Sequence, residues 1–493
     1  MSGDCSGPSF REMSTPVLTA PPRSLARQAG AYVLFVGVPL LLLMATMRYG
    51  AALPTPAGAN EARPSGAPNS AFDLRSLILQ LLVIVGAARL CGALLVSLGQ
   101  PRVFGEMLAG ILLGPSVLGQ LAPTLSLALF PAGSLPLLQA LAQVGVLLFM
   151  FVVGLELDVG QLRRHGRLAV ITSHASIVAP FLLGAALSLA LYTRFAPAGV
   201  SFAPFALFMG AAMSVTAFPV LARILADRGL TRTPLGVMAI ACAAVDDVTA
   251  WCILAAVVVV ARAGALSELG PTIVGTAVYL LVMFTLVRRM LGALVRRSRA
   301  REGRAEPLLA AVMLVALASA WTTERLGIHA VFGAFLVGAL MPSTEAVVTT
   351  LVERLRDLMV VLLLPVYFAF TGLRTAIGLL SGPTLWAVCA AVLLVAIVGK
   401  LGGTAVAART MGMPWRQSVA LGALMNTRGL MELVILNVGL DIGVISPVLF
   451  TMMVIMALVT TAITTPLVTW VTRGGSMGDR TALSGGDEER PRD

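Results

Sequence analysis

The feature that most constrains this chain is the recurrence, from about residue 31 to residue 472, of apolar segments close to 20 residues long. At 1.5 Å per residue a helix of that length crosses about 30 Å of hydrocarbon. The segments fall at 31–49, 74–97, 102–120, 134–155, 167–191, 202–226, 234–260, 269–295, 305–323, 328–342, 356–379, 384–410, 415–440 and 445–472. They predict an all-α polytopic membrane protein with fourteen spans, 102–120 and 328–342 being short. Charged residues make up only 12% of the 493, about half the share of a soluble domain.

The formal charge of +11 suggests an acidic partner only until its placement is considered. The arginines crowd into alternate loops, most densely between Arg288 and Arg304. That is the signature of cytoplasmic loops and removes any need for nucleic acid. It predicts both termini in the cytoplasm and the cell membrane as location. Residues 1–30 then form a disordered tail, 31–49 an extra N-terminal helix, 50–73 an external Pro/Ala/Gly linker and 473–493 a short cytoplasmic tail. The basic start and apolar centre of 31–49 also fit a secretory signal, but no A-x-A site follows closely. The five cysteines show no CxxC pair and read as small apolar residues. The sequence carries no P-loop and no metal-ligand spacing of His and Cys, so ATP-driven transport has no support. No cofactor is expected, and the chain reads as a transporter and not an enzyme.

An ionisable group at bilayer depth is expensive and marks a functional site by default. The candidates are Arg89, Glu106, His174, Asp246, Asp247, Lys400, Arg428 and Glu432, with Glu156 and Asp158 at a helix end. "ACAAVDDVTAW" places two carboxylates in mid-helix. Neighbours on a helix point about 100° apart, so Asp246 and Asp247 make different contacts: one suits a fixed cation, the other a water-filled cavity. Lys400 is the only lysine among 35 basic residues. Arginine stays charged in proteins, whereas a buried lysine titrates, so Lys400 reads either as the mobile counter-charge of an Asp or as a static bridge. Gly399, Gly402 and Gly403 around it allow close approach of a neighbouring backbone.

Two segments carry breaks. Pro219 interrupts "AAMSVTAFPVLARIL" in mid-helix, and Asn426, Thr427, Arg428 and Gly429 interrupt "LGALMNTRGLMELVILNVG". Without the first helix, these are the fifth and twelfth of thirteen spans and run in opposite directions. Spans 74–260 and 305–472 then form two inverted repeats joined by a linker helix, 269–295. Paired interrupted segments in two repeats point to a transporter site. Glu106 either lines the cavity or holds a helix start. Arg428 and Glu432, at i and i+4, neutralise each other. His174, beside Ser173 and Ser176, reads as a packing residue, and His165 and His329 carry no claim.

The stretches "GQPRVFGEMLAGILLGPSVLG", "GVLLFMFVVGLELD", "SVTAFPVLARIL", "AVDDVTAW", "GIHAVFGAFLVGALMP", "GKLGGT" and "LGALMNTRGLMELVILNVGL" resemble the monovalent cation:proton antiporter-2 family, which includes Kef-type and plant cation/proton exchangers. The resemblance implies a homodimer of thirteen-helix protomers with two crossed broken helices and an elevator-like movement of a core domain. It implies Asp247 as the ion- and proton-binding group, Asp246 as the residue that exchanges a salt bridge with Lys400, and Thr216, Pro219, Asn426, Thr427 and Arg428 at the crossing. Glu106 matches an acidic position used by relatives. The C-terminal nucleotide-binding domain of Kef-type members is missing, and the double Asp with Lys resembles electrogenic sodium/proton members. The expected function is exchange of Na+, K+ or Li+ for H+. The alternatives are self-resistance to or export of a polyether ionophore, and a non-transporting sensor or channel-like protein.

Overall fold

In the computed structural model, the residues described are 33–55, 74–98, 102–156, 166–231, 233–262, 266–300, 305–342 and 357–473, with isolated positions between them. The calls for a tail at 1–30, for most of the linker at 50–73, for Asp158 and His165, and for the tail after 473 lie outside them. The described chain is helical throughout, without strands. The elements are α1 (Val33–Gly50), α2 (Leu74–Ser97), α3 (Arg102–Leu121), α4 (Leu135–Glu156), α5 (Gly166–Phe195), α6 (Phe202–Ser214), α7 (Phe218–Asp227), α8 (Pro234–Arg262), α9 (Val274–Ser298), α10 (Ala305–Arg325), α11 (Ala330–Leu340), α12 (Met359–Leu379), α13 (Pro383–Thr410), α14 (Trp415–Met425), α15 (Leu430–Asp441) and α16 (Pro447–Arg473).

Each of the fourteen expected segments is helical, and the lengths of the short ones are refined. Among the described residues, 11 helices are long and apolar enough to cross a bilayer, or 12 if the bent pair α14–α15 is one span. The expected span at 202–226 is two half-helices of 13 and 10 residues, and the one at 328–342 is the 11-residue α11. Both are too short to cross alone, and both are largely buried in protein. Short elements with irregular backbone between them survive at this depth because neighbouring helices, and not lipid, surround them.

The position of the first break is also corrected. Pro219 does not sit in the middle of a helix. It occupies the first turn of α7, where a missing N–H costs nothing because those donors have no intrahelical acceptor. The non-helical residues are Val215–Ala217 just before it, with Val215 at ψ 143°. In the second repeat the break at 426–429 lies where the sequence puts it, and α14 and α15 meet at 46°.

The denser packing sorts the helices into two groups. In the site bundle, α5, α6, α7, α8, α13, α14, α15 and α16 pack on one another. In the scaffold, α2, α3, α4, α10, α11 and α12 do so. Backbone contact between glycines draws the scaffold together: Gly110 lies against the Phe368 carbonyl and Gly372, and Gly154 against Phe335 and Gly338. A side chain at any of these would meet main chain, which cannot move aside. The extra helix α1 packs against α5 and α6 of the site bundle, with Leu41, Leu42 and Met44 facing outward.

Candidate functional site

The site is built where the two breaks cross. The Ala217 N–H donates to the Thr427 carbonyl at 2.9 Å, so the two non-helical stretches hydrogen-bond to each other and partly replace the ladder each has lost. Thr216 Oγ1 lies 3.0 Å from the Met425 carbonyl at the end of α14 and shares its one proton between that carbonyl and Asp246. At the end of α6, Arg428 reaches back with two nitrogens: Nη1 to the Ala212 carbonyl at 2.7 Å and Nη2 to the Met213 carbonyl at 2.5 Å. Lys400 Nζ takes the next carbonyl, that of Ser214, at 2.5 Å. A helix C-terminus carries about half a negative charge and unpaired carbonyls. Two cations therefore sit where the α6 dipole is most negative.

Asp246 and Asp247 occupy α8 and differ completely in surroundings. Asp246 Oδ2 accepts from Lys400 Nζ at 2.7 Å, from Thr216 Oγ1 at 2.9 Å and from Ser176 Oγ at 3.1 Å, while Oδ1 accepts from Ser173 Oγ at 2.5 Å. Four donors fix that carboxylate, two from α5, one from the first break and one from α13. Asp247 is also buried, yet neither of its oxygens has a hydrogen-bond partner. An unpaired buried carboxylate is costly, and it is satisfied by taking up a proton or a cation. At the start of the second break, Asn426 Oδ1 is likewise buried without a partner. Orphaned oxygens and no thiolate or imidazole suit a hard monovalent cation, and no cluster of three or more His, Cys, Asp or Glu able to hold a metal occurs among the described residues.

The sequence candidates divide as follows. The structure brings together Asp246, Asp247, Lys400, Thr216, Asn426, Thr427 and Arg428. Pro219 starts α7 beside them. Glu432 pairs with Arg428 at 2.7 Å, as the i, i+4 spacing indicates, but its Oε1 is buried and unpartnered. Glu106 is buried in α3 of the scaffold, where the arginines within electrostatic reach are Arg89 and Arg102. Arg89 itself donates to the Val360 carbonyl at 3.3 Å. Glycine packing around Lys400 holds at two of three positions: a Cβ on Gly399 would fall 2.8 Å from the Pro180 Cα, and one on Gly403 2.7 Å from the Ala179 Cβ, whereas Gly402 has open space.

Two features escape sequence reasoning. Ser173 and Ser176, noted only as company for His174, are the hydroxyls that hold Asp246; their i, i+3 spacing toward one helix face is the available signal. Lys400 lies within a π-helical turn, Val398–Gly402. Such turns occur often at functional sites, but no residue pattern announces this one.

The match to known proteins covers this same body. A model of the transmembrane sodium/hydrogen exchanger matches residues 81–474. The chain belongs to the sodium/hydrogen exchanger family. Among its relatives, this exchanger is 48% identical over 401 residues to the Na(+)/H(+) antiporter NhaS4 of Synechocystis, covering 80% of this chain and 98% of that protein. It is 41% identical to Cation/H(+) antiporter 17 of Arabidopsis thaliana over 81% of this chain and 48% of that one. With the K(+)/H(+) antiporter 1 of Saccharomyces cerevisiae it shares 32% identity over 82% of this chain and 47% of that one. The chain thus spans about half the length of these plant and yeast relatives. The solved sodium proton antiporter MjNhaP1 of Methanocaldococcus jannaschii matches with a TM-score of 0.54 at 15% identity, over 81% of this chain and 98% of that one. At that identity the likeness concerns the fold, and it supports the inverted-repeat antiporter architecture for the exchanger.

Proposed function

We propose that the protein exchanges a monovalent cation for protons across the cell membrane, with Na+ ahead of K+ and Li+ as the cation. The observation that carries this is the unpartnered, buried carboxylate of Asp247 next to the fully satisfied Asp246. One carboxylate holding either a proton or a cation, never both, is enough to couple their movements. The names of the relatives support the same class, with Na+ in one and K+ in another.

Each neighbour has a role in that cycle. Lys400, bonded to Asp246 and to the end of α6, supplies a charge that follows the protonation of the site. Arg428, with Glu432, keeps the crossing folded around carbonyls that would otherwise be unpaired. Thr216, Thr427 and Asn426 line the crossing, and Pro219 starts the half-helix that leads away from it. Glu106 acts outside the crossing as an accessory acid in the scaffold. The working unit is a homodimer with both termini in the cytoplasm, in which the site bundle moves against the scaffold. No feature of the site favours ionophore export or a sensor.

The deciding experiment is fluorescence dequenching in everted vesicles under an imposed pH gradient, with Na+, K+ and Li+ added in turn. One cation should collapse the gradient, and Asp247→Asn should remove the response. Full activity in that variant overturns the carboxylate mechanism.

A further inference from the structure

Away from the crossing, the site bundle and the scaffold meet through charges at one membrane face. Arg262, at the end of α8, pairs with Glu324, at the end of α10, at 3.2 Å. Arg374 of α12 pairs with Asp441, at the end of α15, at 2.6 Å. The same guanidinium donates to Asn437 Oδ1 at 3.0 Å. Asn437 in turn donates from Nδ2 to Thr371 Oγ1 at 2.9 Å and to Tyr367 Oη at 3.0 Å, both on α12. Each ion pair therefore joins one residue of the site bundle to one of the scaffold.

The two pairs share a face. His329, the N-cap of α11, lies within electrostatic reach of Glu324, Arg262 and Asp441. Glu324 also accepts from the Ala330 N–H at 2.9 Å, which ties its carboxylate to the start of α11. A further link, the Ala376 N–H to Thr451 Oγ1 at 3.3 Å, lies near the start of α16. About 16 Å further along α16, at 1.5 Å per residue, the corresponding link is weaker: Gln100 Nε2 to the Ala462 carbonyl at 3.4 Å.

Between these charges and Asp247 the space is apolar. Trp251 lies one turn from Asp247 on α8 and is buried, its ring 6.1 Å from that of Phe335 on α11. Leu254 and Val258 continue the same face of α8 and line a small cavity with Ile328, Phe332 and Val438, His329 being its one polar lining residue. A hydrated cation does not cross such a plug while the two bundles stay docked.

We propose that Arg262–Glu324 and Arg374–Asp441, with Asn437 joined to the second, form a two-point latch that holds the site bundle on the scaffold and keeps this face closed over Asp247. These are positioning residues: they touch neither cation nor proton at the site, and they set how often the site opens to this face. The inference rests on the exchange reading above, since only a transporter needs the two bundles to part. Partly exposed ion pairs are individually weak, so losing one should raise the open population by only about two- to fivefold. Losing both should act nearly multiplicatively, because the pairs share no residue. The apparent affinity for a cation presented at this face should rise by the same factor, as the binding-competent fraction rises.

The test uses the full chain in proteoliposomes, with a cysteine at Val258 in a background free of the native cysteines and a membrane-impermeant maleimide as probe. Glu324→Gln and Asp441→Asn should each speed labelling about two- to fivefold, and together about tenfold. They should lower the KM for Na+ at this face while leaving dependence on Asp247 intact. The swap Arg374→Asp with Asp441→Arg should return labelling toward the parent rate, which a variant that merely folds badly would not do. Unchanged labelling in a well-folded double variant overturns the latch even if exchange is normal. If no cation drives exchange in the parent, the exchange reading fails, while the labelling rates still decide whether the pairs hold the bundles together.

Discussion

Two buried cation–carboxylate pairs lie within the same bundle, and their additional bonds fall on opposite partners. Lys400–Asp246 and Arg428–Glu432 both close at 2.7 Å, and all four side chains are fully buried. The lysine pair joins helices 154 positions apart, and its carboxylate holds three further hydroxyl donors. The arginine pair is local, and its guanidinium spends two bonds on the carbonyls of Ala212 and Met213. In the first, the surplus bonding is on the acid, so Asp246 stays satisfied when the amine lets go. In the second it is on the base, which cannot let go at all. On the proposed cycle, one pair is a staple across a broken helix and the other is broken and remade.

That contrast breaks most directly at the staple. Arg428→Ala leaves Glu432 and two carbonyls buried without partners, and removing one member of a buried pair costs about 3–5 kcal/mol. Thermal unfolding in detergent should therefore show the largest drop of any variant considered for the site, with exchange lost as a consequence. Lys400→Gln should cost less, about 2 kcal/mol, because Asp246 retains its three hydroxyl bonds. Equal losses from the two would mean that the surplus bonding on Asp246 counts for nothing.

Lys400→Arg sharpens the comparison without removing charge. It keeps the cation beside Asp246 but cannot release its proton, so it should unfold within about 1 kcal/mol of the parent while exchange falls at least tenfold. The readout is vesicle exchange measured across pH beside a melting curve on the same preparation. Exchange equal to the parent at every pH would make both pairs staples.

How much of this was legible beforehand varies with the distance over which each feature is determined. Continuous apolar runs reveal spans because bilayer thickness alone fixes their length, and the polar knot 426–429 reveals a break because no lipid-facing helix tolerates it. Pro219 signalled the other break but not its place, since a proline also fits the first turn of a half-helix, and Val215–Ala217 contains nothing that forbids helix. α11 is a few residues shorter than the segment read from the sequence, because apolarity does not distinguish lipid from protein surroundings. The hydroxyls of Ser173 and Ser176 were visible as residues, but that they hold Asp246 depends on α5 lying beside α8. The ion pairs of the proposed latch escape sequence reading for the same reason: pairing across 62 or 67 positions leaves no local pattern.

The hydroxyls and glycines that support the lysine pair give the smaller effects. Ser173→Ala removes one of four bonds to Asp246 and should cost about 1.5 kcal/mol, with Ser173→Thr recovering part of the loss; a neutral Ser173→Ala would show that the remaining donors suffice.

The smallest effect comes from glycines on either side of Lys400, and it tests whether the π-helical turn is held by packing or by its own backbone. A methyl at Gly399 would meet the main chain of Pro180, so Gly399→Ala should cost about 1 kcal/mol as α5 and α13 are pushed apart. Gly402 has nothing within 4 Å and lies in the same turn. There the ordinary helix preference for alanine should prevail, and Gly402→Ala should stabilise by up to about 1 kcal/mol. Opposite signs in two melting curves would assign the turn to the contact with Pro180. A loss at both positions would mean that the backbone of the turn itself requires glycine, and Lys400 would then owe its place to local geometry and not to the neighbouring helix.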